Sequence, residues 1–115
     1  MGFNFLELIE RAQTGPILKK EDWDFDQITL TTKKLVQKYQ LSWNREEVIP
    51  DQPVLADRIF QAALELAQTV GVYHASTGRV IRFDPAELEE GLRSAPQSLV
   101  MGEGADARTL YARQV

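Results

Sequence analysis

The chain has 115 residues, the length of one ordinary domain, and is read as a single domain over 1–115. Hydrophobic residues at 43% and charged residues at 26% exclude a disordered or fibrous polypeptide, and a core that buries roughly two-thirds of the unfolded surface is expected. A formal net charge of −4 provides no basic patch to displace counterions from phosphate, which argues against nucleic acid and anionic membrane as partners.

From the N-terminus, Phe5, Leu8, Ile9 and Ala12 recur at spacings of three and four and predict a short helix. Gly15-Pro16 ends it. The run Lys19-Lys20-Glu21-Asp22-Trp23-Asp24 suits a helix start, because acidic side chains complement the unpaired N–H groups there. Helix is predicted from Thr31 to Tyr39, with Leu35, Val36 and Tyr39 on one side and Lys33, Lys34, Gln37 and Lys38 on the other. The β-branched run Ile28, Thr29, Thr31 and Thr32 weakens the junction, leaving open whether Glu21 to Ile28 continues the helix or turns separately.

A polar connector follows from Ser42 to Gln52, with Pro50 and Pro53 marking a bend. Leu55, Ile59, Ala62, Ala63, Leu66 and Val70 then form an apolar stripe along a helix from Pro53 to Val70, with Asp51 as candidate cap and Gly71 as left-handed terminator. Beyond Gly71 the period changes. Val72 to Ala75 and Arg79 to Phe83, joined by Ser76-Thr77-Gly78, predict a hairpin. Asp84-Pro85-Ala86-Glu87 supplies a cap, a proline at the first helical position and an acid three residues after the cap. The helix it opens is expected to run from Pro85 to Arg93 and to bury Leu88 and Leu92, with Pro96 closing it. Ser98 to Met101 and Thr109 to Arg113 are two further strand candidates around the flexible turn Gly102-Glu103-Gly104-Ala105-Asp106. The fold class is therefore α+β, predominantly helical with one or two small antiparallel hairpins.

The N-terminus has neither the positive start nor the apolar middle of a secretion signal, and Leu6 stands where a myristoylation start after Met1-Gly2 wants Ser or Thr. No apolar run approaches the ~20 residues that span a bilayer, so a cytoplasmic location is expected.

Candidate chemistry is sparse. The absence of cysteine removes disulfides, thiolate nucleophiles and thiolate metal sites together, and His74 is the single histidine. A zinc or copper site would need carboxylates for nearly all its ligands. Glu21, Asp22, Asp24 and Asp26 alternate with Trp23 and Phe25 and lack the glycine of a calcium loop, so they read as a helix start with two aromatic anchors turned inward. His74, beside Tyr73, has no partner set by spacing and reads as a surface or hydrogen-bonded structural residue. Gly102-Glu103-Gly104 lacks the third glycine and following helix of a dinucleotide fingerprint and reads as a turn. The pairs Glu46-Glu47 and Glu89-Glu90 read as solvated, and Trp23 and Trp43 as core or interface anchors. No nucleophile, base and oxyanion donor assemble, so no catalytic, cofactor-binding or metal-binding residue is assigned.

Several segments nevertheless occur in a particular order: Glu21-Asp22-Trp23-Asp24, Gln37-Lys38-Tyr39, Gly71-Val72-Tyr73 and Thr77-Gly78-Arg79-Val80-Ile81. With Val100-Met101-Gly102-Glu103-Gly104-Ala105-Asp106-Ala107 they closely resemble the amino-terminal region of the corrinoid-dependent monomethylamine methyltransferases, from Phe3 to Val115. Asp84 to Pro96 is similar to the trimethylamine relatives, more loosely. The resemblance implies a segment that precedes a (β/α)8 barrel, in a protein that moves a methyl group from a methylamine to the cobalt of a corrinoid carrier. The family's reactive site, including the pyrrolysine of its methanogen members, lies in the barrel, so no catalytic residue carries over to this chain.

The resemblance further implies that the corrinoid resides on a partner protein. The partners expected here are the remainder of the barrel or a homologous subunit, and through them a corrinoid protein. Two modes of existence follow: a front portion that packs against a barrel, or a stand-alone binding or regulatory module descended from it. An independent small enzyme is the weakest reading.

Overall fold

The computed structural model describes residues 4–114, so the Met1-Gly2 start and the two ends of the family resemblance, Phe3 and Val115, lie outside them. Helix α1 (Phe5–Thr14) is opened by Asn4, whose side chain accepts from the Leu6 amide at 3.0 Å. Gly15 ends it against the first hairpin. A Cβ on Gly15 would stand 2.3 Å from the Val80 carbonyl oxygen, so the chain turns there in a space only glycine fits. Leaving that turn, the Pro16 carbonyl accepts from the Val80 amide at 3.0 Å and the Leu18 amide donates to the Gly78 carbonyl at 3.0 Å.

The question left open at Glu21 to Ile28 resolves as continuity. Helix α2 (Lys20–Asp22) passes through a π-helical stretch, Trp23–Thr29, directly into α3 (Leu30–Lys38). Within the stretch the Leu30 amide reaches the Phe25 carbonyl five residues back, and the Thr29 hydroxyl donates to the Asp24 carbonyl at 2.9 Å. The wide turn sends the two aromatics apart. Trp23 turns inward, donates from Nε1 to the Val70 carbonyl at 3.0 Å and stacks on Tyr73 at a ring separation of 5.5 Å. Phe25 turns outward and is 59% exposed, so the expectation of two inward anchors holds for Trp23 alone.

Helix α3 ends in a Schellman turn: the Leu41 amide donates to the Val36 carbonyl at 3.0 Å and the Gln40 amide to the Gln37 carbonyl at 3.3 Å. Gln40 sits at φ 51, the left-handed region that glycine occupies without penalty. Gln40→Gly is expected to stabilise the chain by about 0.5–1 kcal/mol, read as a raised urea midpoint.

Helix α4 (Pro53–Val70) matches its expected span, with proline in its first turn. Its cap position is Gln52, which makes no side-chain bond, so Asp51 is not the cap. Its inner face buries Leu55, Ala62 and Val70, whereas Ile59 of the expected stripe is exposed. Strands β1 (Val72–His74) and β2 (Arg79–Ile81) pair antiparallel, with Tyr73 opposite Val80. Helix α5 (Pro85–Ser94) opens with the complete reciprocal capping box of Asp84 and Glu87. Leu88 is half-buried, but Leu92 is 51% exposed, against expectation. Finally β3 (Ser98–Met101) and β4 (Arg108–Tyr111) form a second hairpin, whose connection carries one 3-10 turn at Gly104–Asp106.

Among the described residues the buried apolar set is small: Ala12, Leu35, Leu55, Ala62, Val70, Val80 and Ile81, gathered where α1, α3, α4 and the first hairpin meet. The chain exposes 9477 Å2, where a compact monomer of this mass exposes about 6,300 Å2. Its radius of gyration is 17.9 Å, against about 13 Å for a closed domain of this length. The expected two-thirds burial is therefore not reached: about half of the unfolded surface is covered. The sequence has apolar residues enough for a core, and the fold leaves many of them on its outside.

Candidate functional site

The polar groups that converge in this structure are structural ties between elements. Arg11 of α1 grips Glu87 of α5 with two guanidinium nitrogens, one at 2.8 Å, and also donates to the Arg82 carbonyl at 3.1 Å. The Arg11 hydrogen bond holds the Glu87 carboxyl below its ordinary value, helped by the Asp84 amide, and Glu87 in turn raises Arg11. Glu65 of α4 accepts from Lys38 Nζ at 2.8 and 2.9 Å and from the Tyr39 hydroxyl at 2.7 Å, tying α4 to the end of α3. The Lys38 ammonium lowers the Glu65 carboxyl first, and the Glu65 hydrogen bond pushes the Tyr39 phenol up.

His74 belongs to the same class of contact. Its Nδ1 lies 2.9 Å from the Thr77 hydroxyl, and that hydroxyl spends its single proton on the Ala12 carbonyl at 2.7 Å. Nδ1 therefore carries a proton and donates to Thr77, fixing the tautomer by hydrogen-bond accounting. The sequence-level reading of His74 as a hydrogen-bonded structural residue agrees with this geometry. Among the described residues no group of three His, Cys, Asp or Glu side chains could hold a metal ion. Glu21, Asp22, Asp24 and Asp26 line the outer side of the α2 and π-helical stretch, with Asp24 paired to Lys20 at 2.9 Å. Glu46 is exposed and Glu47 half-buried, while Glu90 lies 3.8 Å from Arg93 one turn on. Trp43, read as a core or interface anchor, is 66% exposed in the connector and so is not a core residue.

One concave feature among the described residues is apolar. A groove of about 450 Å3 runs between α4 and α5, lined by Phe60, Ala63, Leu64 and Ala67 on one side and Phe83, Leu88, Gly91 and Leu92 on the other. Glu87 contributes at its rim and is already engaged by Arg11. Apart from Glu87 its lining is apolar, which suits it to receive apolar side chains. Sequence periodicity places Leu88 and Leu92 on one face of α5, and both line the groove, Leu88 half-buried and Leu92 51% exposed. A Cβ on Gly91 would meet nothing within 4 Å. Gly91→Ala is accordingly expected to stabilise α5 by about 0.5–1 kcal/mol through helix propensity, measured by urea unfolding. No helix among the described residues is long and apolar enough to cross a membrane.

Comparison with known proteins places this fold, with its many exposed apolar side chains, in a wider context. The family model for Monomethylamine methyltransferase MtmB matches residues 3–115. Monomethylamine methyltransferase MtmB3 of Methanosarcina barkeri (strain Fusaro) is 28% identical over 113 residues, covering 98% of this chain and 24% of the relative. The MtmB of Methanosarcina mazei is 26% identical over the same length. The crystal structure of the Methanosarcina barkeri enzyme superimposes with a TM-score of 0.86 at 27% identity, over 96% of this chain and 24% of that one. A crystal structure of a hydroxylamine complex of MtmB matches equally well, with a TM-score of 0.86. This chain thus spans about a quarter of the length of the relatives it matches, and the matched part is their N-terminal portion. On the breadth of that match the chain belongs to the monomethylamine methyltransferase MtmB family.

Proposed function

We propose that residues 1–115 form one supporting unit of a monomethylamine:corrinoid protein methyltransferase, working with a catalytic (β/α)8 barrel of the kind the family resemblance implies. In the full-length family the methyl group passes from a methylamine to the cobalt of a corrinoid held by a partner protein. On this reading the present chain supplies no catalytic, cofactor-binding or metal-binding residue. Its contribution is a preformed scaffold, with α1, α4, α5 and the first hairpin locked together, that offers apolar surface to the barrel. The natural setting is cytoplasmic, where the barrel and the corrinoid protein would be its partners.

The observation that carries this reading is the uncovered apolar surface. The α4–α5 groove and the outer faces of both hairpins and α1 leave large hydrophobic side chains in solvent, in a chain with an ordinary apolar content. A self-sufficient binding module would close such faces internally. The test is replacement: this chain is exchanged for the matched N-terminal quarter of Methanosarcina barkeri MtmB, beside a version with that quarter deleted. The exchange is expected to restore soluble enzyme and methyl transfer from monomethylamine that the deletion loses. Full activity in the deletion, or none in the exchange, would overturn the proposal.

A further inference from the structure

The pairing register of the second hairpin gives it two unlike faces. Leu99 lies opposite Leu110 and Met101 opposite Arg108, while Ser98 lies opposite Tyr111 and Val100 opposite Thr109. Cross-strand partners share a face and neighbours along a strand alternate. Leu99, Met101, Leu110 and Arg108 therefore gather on one side, and Ser98, Val100, Thr109 and Tyr111 on the other. The first side carries the three apolar side chains Leu99, Met101 and Leu110, 56%, 53% and 57% exposed, at the end where Arg108 donates back to the Ala105 and Ala107 carbonyls. An isolated two-stranded hairpin with an open face is marginal in water and gains independent stability only when a third strand or a packed element covers it. β3 and β4 are held to each other by their ladder and by the Ala112 amide on the Gln97 carbonyl at 2.8 Å, which does nothing to cover that face.

We infer that the Leu99–Met101–Leu110 face is the docking surface for the polypeptide that follows this region in full-length MtmB relatives. The inference rests on the supporting role proposed above and names the surface that carries it. Two observations select this occupant over a second copy. The relatives continue for about three times the matched length, since this chain covers 24% of them. The hairpin is also the last element of the matched region, and elements consecutive in sequence are neighbours in space about two-thirds of the time. The other side, where Ser98 and Thr109 alternate with Val100 and Tyr111, is left facing outward.

The experiment places a photo-activatable phenylalanine analogue at Leu110 or, as the opposite-face control, at Thr109, in the exchanged full-length enzyme described above. Cross-linked peptides are then identified by mass spectrometry. Leu110 is expected to cross-link within the same polypeptide to residues beyond this region, with loss of that product at Thr109. A product joining two copies, a product within residues 1–115, equal yields from both positions, or no product from Leu110 would each overturn the inference. An active exchange that lacks the Leu110 product leaves the supporting role standing and removes this surface from it; an inactive exchange removes the role itself.

A second measurement needs only this chain. Leu99→Asp is expected to leave its urea midpoint and its hydrogen-exchange pattern in α1, α4 and the first hairpin unchanged, because Leu99 is 56% exposed. A lowered midpoint would show the face already buried, by the chain or by a second copy, and would also overturn the inference.

Discussion

Gly71→Ala is expected to cost about 3 kcal/mol or more, a large share of the stability of a chain with so small a core. Gly71 ends α4 at φ 63 and ψ −153, a backbone region that is essentially closed to residues with a side chain. A Cβ there would also stand 2.3 Å from the Ile81 carbonyl oxygen and 3.2 Å from a Val80 methyl. Both neighbours belong to the most buried stretch of the molecule and have no room to retreat. Gly78 separates the two causes. Its φ is also positive, at 64, but a Cβ would meet nothing closer than 3.6 Å, so Gly78→Ala should cost only the backbone penalty of about 1–2 kcal/mol. Urea unfolding followed by circular dichroism checks both variants. A Gly71→Ala midpoint equal to that of Gly78→Ala would contradict the close approach of α4 and β2.

Glu87→Ala comes next, at about 2 kcal/mol, because one carboxylate does two jobs. It completes the capping box by accepting from the Asp84 amide at 2.9 Å, and it receives the Arg11 fork that joins α1 to α5. Losing the cap partner costs about 1 kcal/mol, and losing the partly solvated ion pair costs about 1 kcal/mol more after screening. The pH dependence follows from the direction of the shift. Arg11 holds the Glu87 carboxyl below its unfolded value, so the folded state binds its proton more weakly than the unfolded state does. The stabilisation is fully present above the ordinary carboxylate range, about pH 4.3 and higher, and is lost as pH falls through the lowered folded value. Glu87→Ala should flatten that acid limb of the stability curve, whereas Lys20→Ala, on an exposed surface pair, should leave it unchanged. An acid limb identical in the wild type and Glu87→Ala would contradict the assignment.

The parts of this fold that were legible in the sequence are those whose causes are local. The box of Asp84 and Glu87, the proline at the start of α4, the period change after Gly71 and the Gly-containing turn before Arg79 all act within a few residues, and the elements they specify are present. The π-helical stretch was not legible. It accompanies the bond from Trp23 to Val70, 47 positions away, and no local pattern encodes that contact. The misplaced cap at Asp51 is a one-residue offset at a helix start, where Gln52 takes the cap position and proline already tolerates the missing bond.

The burial errors have one common cause. Helical spacing marks Leu92 and Ile59, and aromatic size marks Phe25, as residues that need covering. Periodicity reports that a side chain seeks an apolar neighbour; it does not report whether that neighbour lies in the same chain. Each of these residues is exposed, and Leu92 sits in the α4–α5 groove. The candidate site was legible to the same degree. One histidine and no cysteine foretold little chemistry, and the structure accounts for His74 by its bond to Thr77. The groove was invisible in the sequence, because α4 and α5 are brought together through the intervening hairpin.

The central claim is that this chain holds a rigid arrangement of elements without closing a core of its own. Small-angle X-ray scattering on the monodisperse chain addresses it most directly. The account predicts a radius of gyration no smaller than 17.9 Å. A compact monomer near 13 Å, the value for a closed domain of this length, would contradict it.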